Sequence, residues 1–113
     1  MIHLATKTKT LRYFLSENDW IDIRVTKDLT KNEIIKFSVN LSSIISGEIY
    51  SIIRYDNAHG FTHIDKYGKT EKEIIKNKSK EQIMKLARMD ISNNWQKYRK
   101  LVEKIIKGGS NGK

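Results

Sequence analysis

The chain contains no cysteine, which excludes disulfide staples, thiolate nucleophiles and cysteine-built zinc sites together. Proline is missing too, while Ile, Lys and Asn are abundant, a bias that fits an AT-rich prokaryotic genome. No apolar run approaches the roughly 20 residues needed to cross a bilayer. The N-terminal "MIHLATKTKT" lacks the apolar core of a secretory signal, so the sequence reads as cytoplasmic. Acidic residues are outnumbered, 13 against 22 basic ones, leaving a net charge of +9. A field of that sign attracts polyanions and speeds their encounter, which points to nucleic acid or an acidic protein as the partner.

What is present suits one domain. The 113 residues can fill one core but not two, and 38% hydrophobic with 31% charged residues is a globular composition. The expected domain covers residues 1–107, with 108–113 as a loose tail.

Period-2 alternation dominates the first 75 residues. In "DWIDIRVT", Ile21, Ile23 and Val25 alternate with Asp22, Arg24 and Thr26. In "EIIKFSVNL", Ile35, Phe37, Val39 and Leu41 alternate with Lys36, Ser38 and Asn40. "LRYFL", "EIYSIIRYD" after Ser46-Gly47, and "FTHIDKY" after "NAHG" add further strands, and Gly68 breaks the chain before "KTEKEII". Short, turn-bounded strands in succession predict an antiparallel meander of four to five strands, one face of which must be covered.

The last third predicts the cover. Ser79 and Gln82 form a capping box, and Met84, Ala87, Ile91, Trp95, Tyr98, Val102 and Ile105 recur at helical spacing as one stripe. Gly108 and Gly109 should end this helix. Trp95 and Tyr98 read as core residues, and Asp90 and Asn94, one turn apart at the stripe's edge, read as groups satisfying neighbouring polar atoms. Lys78, Lys85, Lys100, Lys104 and Lys107 fall on the opposite arc. Residues 78–107 hold nine basic and three acidic side chains, so this element carries +6 of the +9. That surface suits phosphate tracking, although a solvated lysine face has the same pattern. No base-reading motif is present.

The densest chemistry lies in "IIRYDNAHGFTHID". With Ala58 and His59 at a hairpin tip, Arg54 would pair with His63 and Ile52 with Asp65. Gly60 would permit the turn. Arg54, Asp56, His63 and Asp65 would then share the sheet face away from the helix, with His59 at the rim, while Ile53, Tyr55 and Ile64 face the core. Three uses fit. A histidine could act as general acid or base on a phosphodiester that Arg54 clamps, and an RNA substrate, carrying its own 2′-hydroxyl nucleophile, needs no metal. Asp56 and Asp65 with a histidine could instead hold Mg²⁺ or Mn²⁺, though no metal-binding spacing is present. Or the Arg54–Asp56 pair and the histidines are ordinary polar hairpin residues.

This stretch, followed by "KLARMDISNNWQKY", resembles a small uncharacterised prokaryotic domain family whose signature runs Arg-Tyr-Asp, Ala-His-Gly, then His and Asp. A late helix with an Asp and Asn-Trp pattern follows there, here Asp90, Asn94 and Trp95, and the resemblance covers about residues 34–102. The "RYDNAH" core is also similar to TumE-type toxins of toxin–antitoxin modules, whose His-rich continuation is reduced here to His63. The resemblance implies a toxin-like protein acting on RNA. In the resulting expectation Arg54 binds phosphate, His59 and His63 move protons, Asp56 or Asp65 orients them, and the basic helix steers RNA. A non-catalytic module for nucleic acid or an acidic, antitoxin-like protein is the alternative, and a structural subunit a third.

Overall fold

In a computed structural model, which describes residues 5–58 and 60–110, the alternating runs form six strands followed by one helix. They are β1 (Thr6–Ser16), β2 (Asp19–Asp28), β3 (Glu33–Ile45), β4 (Glu48–Asp56), β5 (Thr62–Lys66), β6 (Glu73–Ile75) and α1 (Lys80–Ser110). The sheet order follows the chain, β1-β2-β3-β4-β5-β6, and every pairing is antiparallel. The α+β meander with one long C-terminal helix is therefore as expected, but with six strands rather than four or five. The unexpected strand is β6, whose three residues are too few to show a period.

Each turn has a local cause. Ser46 and Gly47 both have positive φ, 53° and 80°, the two-residue turn whose twist matches flanking strands. The Asp28 carboxylate accepts the amides of Thr30 and Lys31, closing the β2–β3 turn. Gly60 and Gly68 sit at φ 82° and 80°. At Gly68 a Cβ would meet Ile105 Cδ1 at 3.0 Å, so this position combines a left-handed backbone with close approach of the helix.

The helix begins at the expected box: the Ser79 amide donates to Gln82 Oε1 (2.9 Å), and the Gln82 amide donates to Ser79 Oγ (3.1 Å). The buried stripe is Ile83, Ala87, Ile91 and Val102, with Met84, Trp95, Tyr98 and Ile106 packed beside it. Ile83 thus occupies the place expected for Met84. Ile105 faces outward except for its contact with Gly68. The helix also runs on through Gly108 and Gly109 to Ser110 instead of stopping at the glycines. A glycine weakens a helix by only about 1 kcal/mol, too little alone to end one already nucleated by packing. Lys78 precedes the helix, so it is not part of the lysine arc. No described helix is long and apolar enough to cross a membrane.

Val39, Leu41, Ile53 and Tyr55 form the floor beneath α1, with Ile21, Ile23 and Phe37 beside them. A bulge between Leu41 and Ser42 leaves Ile52 unpaired, and both Ile52 and Ile53 enter the core. At the far end of the helix, Arg99 reaches the buried Asp19 carboxylate with contacts of 2.9 and 2.8 Å and also donates to the Ile44 carbonyl. Ser16 and Ser43 donate to the same carboxylate. Burial pushes the Asp19 pKa up, but these hydrogen bonds and the guanidinium charge outweigh it, and the net shift is downward.

Candidate functional site on the open sheet face

The sheet face away from α1 carries the polar halves of the alternating strands. Two cross-sheet rows follow from the register: Arg12, Asp22, Asn40, Arg54 and Asp65, then Thr10, Arg24, Ser38, Asp56 and His63. Directly paired residues point to the same side of a sheet. The sequence-predicted cluster of Arg54, Asp56, His63 and Asp65 is therefore gathered on one face. The register differs from the expected one by two residues: Arg54 pairs with Asp65, and Asp56 with His63. The loop is longer than a two-residue tip, and an even shift preserves the faces even though it changes every pair. His59 lies outside the described residues.

The hairpin is held by its own polar atoms. The Ala58 amide donates to Asp56 Oδ1 at 3.0 Å. Asn57 takes over where β4 ends, its Oδ1 accepting the Phe37 amide and its amide group donating to the Ile35 carbonyl. Its side chain thus imitates a strand residue and ties the loop to β3. Nothing in the alternation of the sequence marks Asn57 for this part.

His63 is 1% exposed. Its Nδ1 lies 3.4 Å from the Phe61 carbonyl, and its Nε2 lies 3.1 Å from Asp56 Oδ1 and 3.5 Å from Asp65 Oδ2. The Phe61 ring stands against the imidazole, with centroids 5.5 Å apart. With Nδ1–H donated to the carbonyl, Nε2 faces two carboxylates, a position that suits a cation. The three donor atoms lie within 4.8 Å of one another. Two ligands about 2.1 Å from a metal stand about 3.0–3.4 Å apart in octahedral or tetrahedral geometry. Among the described residues this trio is the group that could hold a divalent cation, after its atoms draw closer together, and one nitrogen with two oxygens suits Mn²⁺ better than Mg²⁺. Competing cations are close: Lys72 Nζ is 3.5 Å from Asp65, and Arg54 Nε is 3.9 Å from Asp56. At 3.9 Å the Arg54–Asp56 pair is loose, and Arg54 is half exposed.

Beside this trio lies a concavity of about 270 Å³, lined by Arg24, Thr26, Lys36, Ser38, Arg54 and Asp56 among others. Among the described residues neither Arg24 nor Lys36 has a carboxylate partner. The expected positive charges were Arg54 for phosphate and the helix lysines for steering, and neither Arg24 nor Lys36 was among them. Their signal was available, since both fall on the polar parity of "DWIDIRVT" and "EIIKFSVNL". The same face carries Phe14, 63% exposed, tilted against Trp20, with the Arg12 guanidinium 5.1 Å from the centre of the Trp20 ring.

The lysines of α1 lie elsewhere. Lys85, Lys100, Lys104 and Lys107 are exposed on the arc turned away from the sheet, and Lys78 is exposed ahead of the helix. They face the opposite side of the molecule from Arg54 and His63, so the two basic surfaces do not form one groove. Asp90 and Asn94 do not reach the hairpin's charged groups. Asp90 instead accepts from Tyr55 (2.5 Å), Tyr98 (2.7 Å) and Asn94 (2.8 Å), the structural role read from their spacing.

The fold and this face define a single-sheet α+β domain with one armoured face and one open, polar, cation-bearing face. By sequence the chain belongs to the family described as a domain of unknown function, DUF7718, whose model matches residues 6–106. Neither a curated protein nor a solved structure matches it.

Proposed function

We propose that the open face binds single-stranded nucleic acid, with RNA the favoured ligand. The observation that carries this reading is the concavity in which Arg24, Lys36 and Arg54 converge. Three cations around a polar hollow suit phosphate oxygens, and Arg adds bidentate hydrogen bonding. Phe14 offers an exposed ring on the same face, on which a base can stack. The helix lysines supply a second, separate field that raises the encounter rate without sharing the site.

The expected result is that Arg24→Glu/Lys36→Glu/Arg54→Glu weakens binding of a short unstructured RNA at least tenfold in fluorescence anisotropy. The salt dependence should flatten as well, since each lost phosphate contact removes about 0.7 from the slope of log K against log salt for single strands. Reversing Lys100, Lys104 and Lys107 should cost less. If the helix reversal removes binding and the open-face reversal does not, the reading fails.

A second reading, toxin-like cleavage of RNA, is favoured by Asp56, which lines that concavity and stands 3.1 Å from His63 Nε2. Arg54 would hold the phosphate, and Asp65, 37% exposed, is the trio's most accessible member. The burial of His63 argues against direct proton transfer from its ring and for a part in positioning Asp56, which leaves His59 as the histidine for the proton step. Cleavage of end-labelled RNA that persists in EDTA and vanishes in His59→Ala supports the metal-independent version. Cleavage lost in EDTA and restored by Mn²⁺ assigns a cation to the trio instead.

A further inference from the structure

An α-helix is about 10 Å across, and six strands spaced about 4.8 Å apart make a face more than twice that width. α1 packs on β3 and β4. On the same side of the sheet Ile21 and Ile23 of β2 are buried, but among the described residues Leu11 of β1 and Leu29, just past β2, stay half exposed, at 50% and 52%. Between them and the start of α1 runs a groove of about 480 Å³, floored by Leu11, Val25, Leu29, Ile34 and Met84. Lys7, Lys9 and Lys27 stand along it, and among the described residues no carboxylate lines it. Past Met84 it continues into a hollow edged by Lys85 and Arg88, with Glu81 as its one acidic residue among the described ones.

We propose that this groove docks an acidic, amphipathic helix of a partner protein, lying beside α1 and completing the armoured face. The apolar floor asks for an apolar stripe, as helix-in-groove complexes require. The cationic margin asks for carboxylates on either side of that stripe. A second copy of this chain is the wrong occupant, because its own margin is lysine and each copy carries +9; like charges set against each other across an interface cost several kcal/mol. Nucleic acid is the wrong occupant as well, because the floor offers phosphate no partner.

The test uses the whole protein and three labelled peptides of about five helical turns. The first carries leucines at i, i+3, i+4 and i+7 with glutamate elsewhere. The second replaces glutamate by lysine, and the third replaces leucine by alanine. The first should bind saturably, with both controls at least tenfold weaker. Leu11→Glu/Leu29→Glu, which alters two half-exposed residues and should melt as the wild type does, should bind the acidic peptide at least tenfold more weakly while keeping its RNA affinity. Arg24→Glu/Arg54→Glu should show the reverse. That crossing separates failure of this proposal from failure of the RNA reading. Equal binding of the alanine peptide would reduce the effect to charge alone and overturn the groove. Peptide binding lost in the open-face variant but kept in the groove variant would overturn it too. So would a wild-type dimer in sedimentation that Leu11→Glu/Leu29→Glu makes monomeric, since the groove would then belong to a second copy.

Discussion

Arg99→Ala is expected to lower the unfolding free energy by about 3 kcal/mol, the low end of what removing one partner from a buried ion pair costs. The low end applies because the Arg99 side chain is 23% exposed, whereas that of Asp19 is 3% exposed. The substitution strands a carboxylate that the fold has enclosed, leaving only the hydroxyls of Ser16 and Ser43 to serve it. It also frees the Ile44 carbonyl and the loose contact to Glu103. Arg99→Lys keeps the charge but cannot reach both the carboxylate and the carbonyl, so it should fall between the two. Urea unfolding followed by far-UV circular dichroism measures each difference.

The pH dependence supplies an independent check. In the folded protein the Asp19 pKa is depressed, so its stabilising contribution is complete above the unfolded carboxylate value, about 3.9, and fades as pH falls through the lower folded value. In Arg99→Ala the counter-charge is gone, and protonating Asp19 relieves the variant instead of harming it. The gap between wild type and variant should therefore narrow as pH drops from about 5 toward 2. A gap that stays constant would mean that Arg99 acts through packing of its stem, not through Asp19.

Alternation marks five of the six strands and most of their faces, but not that of Ile35, expected on the core face with Phe37. The irregularity opposite Thr26 and Lys27 leaves it 41% exposed while Ile34 packs on the core. Sequence alone could not reveal the Asp19–Arg99 bond, whose partners stand 80 positions apart and lie in no common pattern. The hairpin register failed by two for a physical reason: Asn57 bonds to β3 and Gly60 turns with positive φ, so the loop is longer than the tip Ala58 and His59 would make. Face membership survived because the error was even. Arg54, Asp56, His63 and Asp65 were legible as a cluster, but the burial of His63 was not, since it depends on the Phe61 ring packing against the imidazole. Arg24 and Lys36 were visible as polar-parity residues and became site residues only once β2, β3 and β4 were set side by side. β6 escaped notice because three residues give no period.

Asp90→Ala is expected to cost about 2–3 kcal/mol, because it removes one acceptor from three donors at once: Tyr55, Tyr98 and Asn94. Hydrogen bonds to a charged group are each worth about 1.5–3 kcal/mol, but water can reach the partly exposed Tyr98 and Asn94, so the losses do not sum. Tyr55 bears most of the cost, being 3% exposed. Burial and then the Asp90 hydrogen bond raise the Tyr55 and Tyr98 phenol pKa values, so both phenols should resist ionisation in a 295 nm titration of the folded protein. A raised folded pKa means stability that is present below the unfolded tyrosine value, about 10, and lost as pH climbs through the folded one. Asp90→Ala should flatten that alkaline loss and bring at least one phenol into titration earlier. Asp90→Asn keeps the shape and one accepting oxygen and should cost about half as much. Tyr55 stands between Arg54 and Asp56 in β4, anchored beneath the sheet while its neighbours work above it. Ile53 and Ile52 still hold that strand in the core, so RNA affinity measured well below the melting transition should change less than twofold. A tenfold loss there, with the fold intact, would show that the bond beneath the sheet sets the geometry of the cations above it.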